Sequence, residues 1–180
     1  MTHSGCDWRI ILINDHRDLF HPPARAPVAA QGYPACGQGW RDLLDRVCLR
    51  IAAALTDGDT FQVVQVKEKF GTLRFCWRGK LSDASRQKVE EAIDLAEARS
   101  ACACEQCGEE GRLYRAGGVL STCCAAHAKG QPVAIKPGFE NVHLVRRIVG
   151  GQSRVTYRRY DRTTDSFVDV DPGTLAIEEK

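Results

Sequence analysis

The chain has 180 residues, 43% of them hydrophobic and 27% charged, with a formal net charge of +2. That length fits one domain, or a core domain with a small appendage, and the near-neutral balance excludes attraction to nucleic acid by global charge, leaving only local patches for that purpose. The longest strictly aliphatic runs, Ile10 to Ile13 and Ile51 to Leu55, fall far short of a membrane span, and Met1 to Asp7 has no basic stretch of a secretory signal, so the cytoplasm is the default compartment.

Asp7 to Phe20 is predicted as a short helix presenting Trp8, Ile11, Leu12 and Leu19. From His21 to Gly39 the chain holds Pro22, Pro23, Pro27, Pro34, Gly32, Gly37 and Gly39, which rules out a helix or central strand and predicts a connecting loop. Arg41 to Leu55 places Leu43, Leu44, Val47, Cys48, Ile51, Ala54 and Leu55 on one helical stripe, and Thr56-Asp57-Gly58-Asp59 stops it. Phe61 to Phe70 and Thr72 to Arg78 read as two strands joined tightly at Gly71, with Leu73, Phe75 and Trp77 alternating onto one face. Ser82 is the expected N-cap of a helix reaching about Arg99, with Val89, Ala92, Ile93 and Ala96 inward. Its Glu90, Glu91, Asp94 and Glu97 are expected to form a solvated acidic face.

Next comes the chemically legible motif. Cys104 and Cys107 are three residues apart, as are Cys124 and His127, with sixteen residues between the pairs. Each pair can bend round one ion, and together they make a tetrahedron of three thiolates and one imidazole, a zinc donor set. Gly108 supplies the freedom that the first turn needs. Cys123 and Cys102 are alternative ligands. With all four positions filled by protein, the ion is expected to be structural Zn2+, contributing on the order of 10 kcal/mol to its segment. Of the remaining cysteines, Cys6, Cys36, Cys48 and Cys76 lie beside apolar residues and read as core or partly exposed thiols, since disulfides are rare in a reducing compartment.

Gln131-Pro132 and Lys136-Pro137-Gly138 break the chain before three expected strands, Asn141 to Val149, Arg154 to Tyr160 and Ser166 to Val170, the first two joined by Gly150-Gly151. The whole is predicted to be α+β, with two to three helices, antiparallel strands and an inserted zinc ribbon or knuckle. Its parts are an N-terminal helix and loop (1–39), an α-β-β-α core (40–100), the zinc segment (101–129) and C-terminal strands packing on the core (130–180).

Two further clusters could carry function. Lys67, Glu68, Lys69 and Arg74 crowd the hairpin, either as a cross-strand charge network or as a partner-binding site. Arg146, Arg147, Arg154, Arg158, Arg159 and Arg162 are interleaved with Tyr157 and Tyr160, a composition able to hold nucleic-acid backbone and stack bases, although Arg158 and Arg159 must point to opposite faces of a strand. Asp169 and Asp171 more simply end a strand than recruit a cation. No phosphate-cradling loop, serine elbow or His-Glu-x-x-His pair is present, and no catalytic residue is assigned. His16 and His21, near Asp15 and Asp18, read as ordinary hydrogen-bonded histidines, and His3 and His143 belong to no motif.

Cys36-Gly37-Gln38-Gly39-Trp40, Val66-Lys67-Glu68-Lys69-Phe70-Gly71-Thr72-Leu73-Arg74-Phe75, Ala96-Glu97 and the two ligand pairs, in this order and spacing, resemble a family of small proteins from phages, prophages and bacterial genomes. The resemblance covers about Gly37 to His127. Thr72 stands where such proteins commonly carry a second glycine, and Cys76 where they carry an aromatic. The resemblance implies mobile-element origin, a bacterial host cell and the same zinc ligands. The expected function is that of a non-enzymatic, zinc-stabilised binding or regulatory protein that engages or inhibits a host protein. The alternative is a nucleic-acid-binding regulator using the C-terminal strands and the zinc segment.

Overall fold

Asp7 opens the first helix, α1 (Trp8–Asp15), by accepting a hydrogen bond from the Arg9 N–H at 3.0 Å. The computed structural model describes residues 7–149 and 152–175, so Cys6, His3 and the Gly150-Gly151 connection lie outside the described residues. The single helix expected up to Phe20 is split at His16, whose backbone leaves the helical region (φ −120°, ψ 41°). The cause is tertiary: the His16 ring is buried, with Nε2 2.8 Å from Asp45 Oδ1. A second short helix, α2 (Arg17–Phe20), then delivers Leu19 and Phe20 to the core.

The loop that follows contains two single 3-10 turns, Pro27–Ala29 and Gln38–Trp40, and its Ala35 N–H donates to Val66 O at 2.8 Å. It thereby satisfies part of a strand edge that would otherwise be left open. In α3 (Arg41–Ala54) the predicted stripe Leu43, Leu44, Val47, Cys48, Ile51 and Ala54 is buried. Strands β1 (Thr60–Lys69) and β2 (Thr72–Lys80) pair antiparallel, and the register Lys69 to Thr72 leaves Phe70 and Gly71 as a two-residue turn with φ of 56° and 84°. Both values are those of a type I′ hairpin turn. Phe61, Val63, Val66, Leu73 and Phe75 point inward, against Trp40, α3 and the inner face of α4 (Asp83–Ser100). Val89, Ala92, Ile93 and Ala96 form that inner face, and the Ser82 hydroxyl caps the helix by accepting from the Ser85 N–H at 3.2 Å.

The outer face of α4 departs from expectation. Leu95 and Ala98 pack with Cys102 and Tyr160, against Phe167. Those last two residues belong to a C-terminal sheet of β6 (Val142–Val149), β7 (Gln152–Asp161) and β8 (Ser166–Val170), in the order β6-β7-β8. The acidic residues are engaged as well: Glu91 accepts from Arg158 Nη1 at 2.6 Å and from Arg147 Nη2 at 3.2 Å, and Asp94 pairs with Arg147. The solvated acidic face is therefore the seat of the C-terminal sheet. A third small sheet, order β4-β3-β5, comprises β3 (Arg112–Ala116), β4 (Val119–Cys123) and β5 (Gln131–Pro132). Gln131-Pro132, expected only to break the chain, adds two residues to an edge of this sheet, where a proline is tolerated. Among the described residues the fold is thus α+β, with four helices and three small antiparallel sheets. No helix among them is long and apolar enough to cross a membrane.

Candidate metal centre

Cys104 to Gly108 form a tight turn in which the Gly108 N–H donates to Cys104 O at 2.8 Å and Gly108 takes φ 81°. Cys124 and His127 follow the end of β4 in a second such turn, with the His127 N–H donating to Cys124 O at 3.1 Å. The two turns bring Cys104, Cys107, Cys124 and His127 together, with one ligand atom from each lying within 4.8 Å of all the others. Cys107 Sγ is 3.7 Å from Cys124 Sγ, and His127 Nδ1 is 3.6 Å from Cys104 Sγ and 3.2 Å from Cys124 Sγ. A tetrahedral ion with zinc-like bond lengths needs edges of about 3.8 Å between sulfurs and about 3.6 Å between sulfur and nitrogen. The donor set and its spacing fit a metal ion.

Cys123 and Cys102, the alternative ligands, lie outside this group. The Cys123 thiol points to Ser121 Oγ at 3.7 Å, and the Cys102 thiol donates to Arg99 O at 3.4 Å within the apolar contact between α4 and the C-terminal sheet. Burial raises the Cys104 thiol, but the backbone N–H groups of Cys124, Cys107 and Gln106 outweigh it and hold Cys104 at about 6. Cys107 is lowered by the Glu109 N–H, yet desolvation and its hydrogen bonds to Cys104 and Cys124 push it up to about 11. A metal ion bound here would hold the cysteines as thiolates and release their protons.

Three separate parts of the chain clasp the metal-binding segment. Gly39 donates its N–H to Glu105 O at 2.8 Å, Gly37 donates to Glu105 Oε1 at 2.8 Å, and the fully buried Trp40 donates its indole N–H to Ala103 O at 3.0 Å. A side chain on Gly39 would place its Cβ 2.6 Å from Cys107 N and closer still to Cys104 O and Gly108 N, so only glycine permits this approach. On a second side, the Thr122 hydroxyl of β4 donates to Gly71 O at 2.6 Å, seating the ribbon on the tip of the β1–β2 hairpin. On a third, Arg162 Nη2 donates to Gly108 O at 3.0 Å from the turn between β7 and β8. The only trace of this role in the sequence is two glycines, Gly37 and Gly39, bracketing one residue before Trp40.

The other singled-out residues are dispersed. Glu68 Oε1 accepts from the Gly71 N–H at 2.5 Å and so braces the hairpin turn, whereas Lys67, Lys69 and Arg74 lie on the opposite, outward face and form no ion pair among the described residues. Arg147 and Arg158 face α4, while Arg146, Tyr157 and Arg159 lie on the other side of the C-terminal sheet. Arg154 is exposed, and Tyr160 is buried, donating to Asp165 Oδ1 at 2.5 Å. Asp165 also accepts from Arg50 Nη2 at 2.9 Å, with Arg99 Nη1 at 3.8 Å. Asp169 accepts from Arg158 Nε at 3.1 Å, and Asp171 from the Gly173 N–H at 2.9 Å. His16 and His21 are far apart in role, one set on Asp45 and the other with Nε2 3.0 Å from Phe61 O, and Asp15 and Asp18 are exposed. Comparison with protein-family models, with curated proteins and with solved structures finds no match.

Proposed function

We propose that this chain is a zinc-stabilised, non-enzymatic protein-binding module of phage or mobile-element origin, whose partner is a protein of the bacterial host. The Cys3His donor set, with its four ligand atoms within 4.8 Å of one another, supports structural Zn2+, with no coordination position kept for a reacting water. Zinc in that place holds the ribbon against the loop at Gly37 to Trp40, the hairpin tip and Arg162 at once. It therefore fixes surfaces relative to one another.

The observation that carries a partner is the outer face of the C-terminal sheet. Leu144, Val155 and Val168 are 56%, 44% and 60% exposed there. The register sets Leu144 opposite Tyr157, Arg146 opposite Val155 and Arg159 opposite Val168, so the three aliphatic side chains are interleaved with a tyrosine and two arginines. Exposed aliphatic side chains set among a tyrosine and arginines have the make-up of a protein interface. The other face of the same sheet is spent on α4. Capture from host lysate with the wild-type chain and with a Leu144→Glu/Val168→Glu variant tests the proposal. One stoichiometric protein retained by the former and lost by the latter is expected; recovery of none, or equal recovery by both, would refute it.

A further inference from the structure

The tip of the β1–β2 hairpin carries two features that work against the fold of the chain alone. Lys67 stands directly across from Arg74, an adjacent pair of like charges that destabilises a two-stranded ladder. Lys69 lies on the same face, one strand period further on, about 7 Å along the chain. No ion pair among the described residues neutralises any of the three. Glu97 acts electrostatically on Arg74 without closing an ion pair with it. The second feature is Phe70. It occupies the first position of the type I′ turn at φ 56°, a left-handed conformation that glycine and asparagine adopt readily and a bulky side chain does not. Its ring is 68% exposed, so the strain is not repaid by burial. Lys69 Nζ sits 5.2 Å from the ring centroid, which places the ring beside one of the three cations.

A strained, exposed aromatic beside three cations that form no ion pair among the described residues is what a strand of phosphates and bases would satisfy: the cations meet the backbone and the ring offers a stacking platform. We infer that the outer face of this hairpin, Lys67, Lys69, Phe70 and Arg74, binds single-stranded nucleic acid. This surface is separate from the C-terminal sheet, and it stands whether or not that sheet binds a protein. An acidic protein segment would use the cations too, but it has no general need of a flat ring held out from a turn.

The test is fluorescence anisotropy of the zinc-loaded full chain with a labelled single-stranded oligonucleotide, in DNA and RNA forms, from low to physiological salt. Saturable binding is expected, with log affinity falling against log salt at a slope near −2, from about −0.7 for each of three contacts. Lys67→Gln, Lys69→Gln and Arg74→Gln should each make that slope shallower by about 0.7. Phe70→Asn should weaken binding roughly five- to hundredfold through lost stacking, while leaving the thermal midpoint equal or higher because asparagine suits the turn. That opposition separates a binding role from a structural one. The inference is overturned if neither oligonucleotide binds at low salt, if Phe70→Asn binds as tightly as wild type, or if polyglutamate competes as well as unlabelled oligonucleotide.

Discussion

Gly39→Ala probes the clasp on the metal-binding turn. The new methyl would lie 2.6 Å from Cys107 N and closer to two further backbone atoms, so no side-chain rotation relieves it and the loop must part from the turn. Overpacking of this kind costs about 1–3 kcal/mol, and losing the Gly39 N–H to Glu105 O hydrogen bond adds about 1 kcal/mol, giving roughly 2–4 kcal/mol in all. For a chain of this size, at roughly 2–4 °C per kcal/mol, the thermal midpoint should fall by about 5–15 °C. Gly58→Ala is the control: Gly58 has φ 89° with nothing within 4 Å of the added atom, so it reports left-handed strain alone, about 1 kcal/mol. Thermal melts followed by circular dichroism, with metal release to a chromogenic chelator measured in parallel, compare the two. Gly39→Ala should melt lower and release metal faster than Gly58→Ala. If the two variants behave alike, the clasp does not hold the turn.

Glu97 should make stability fall with rising pH. Burial lifts its carboxyl from 4.5 to about 7, so the group is protonated in both states below about pH 4, the penalty for ionising it grows between 4.5 and 7, and it is full above that. At 1.36 kcal/mol per pKa unit the full penalty is about 3 kcal/mol. Glu97→Gln should therefore stabilise by up to that amount at pH 8 and by almost nothing at pH 4.5, in urea titrations against wild type; equal gains at both pH values would remove the assignment. Tyr160→Phe deletes the hydroxyl that donates to Asp165 in a buried setting, and should cost about 1.5–3 kcal/mol in the same titrations, the usual range for a hydrogen bond to a charged group. A loss below half a kcal/mol would mean that Arg50 and Arg99 alone hold Asp165.

Local patterns foretold the local structure. The stripe from Leu43 to Ala54, the alternation of Leu73, Phe75 and Trp77, and the Ser82 cap are set by helical and strand periods, and each is found where those periods put it. The Cys104–Cys107 and Cys124–His127 pairs were legible for the same reason, since short spacing obliges each pair to share a neighbourhood. What the sequence hid is long-range. Glu91 and Asp94 look like a solvated face until β6 and β7 bring Arg147 and Arg158 to them, some fifty to seventy residues later. His16 ends α1 because Asp45 waits on another helix. Glu68 is the local exception: it reads as one of a run of surface charges although it braces a turn three residues on, at Gly71. The role of Gly39 is a matter of backbone approach to residues far along the chain, which no local periodicity records.

The central claim is that one zinc ion, held by Cys104, Cys107, Cys124 and His127, pins the ribbon to the core. X-ray absorption at the zinc edge on the purified chain, with metal content counted in parallel, tests it most directly. The account predicts one zinc per chain with three sulfurs at about 2.3 Å and one nitrogen at about 2.0 Å, unchanged in Cys123→Ser and lost in Cys124→Ser. Absence of metal, or loss of the ion in Cys123→Ser with retention in Cys124→Ser, would contradict it.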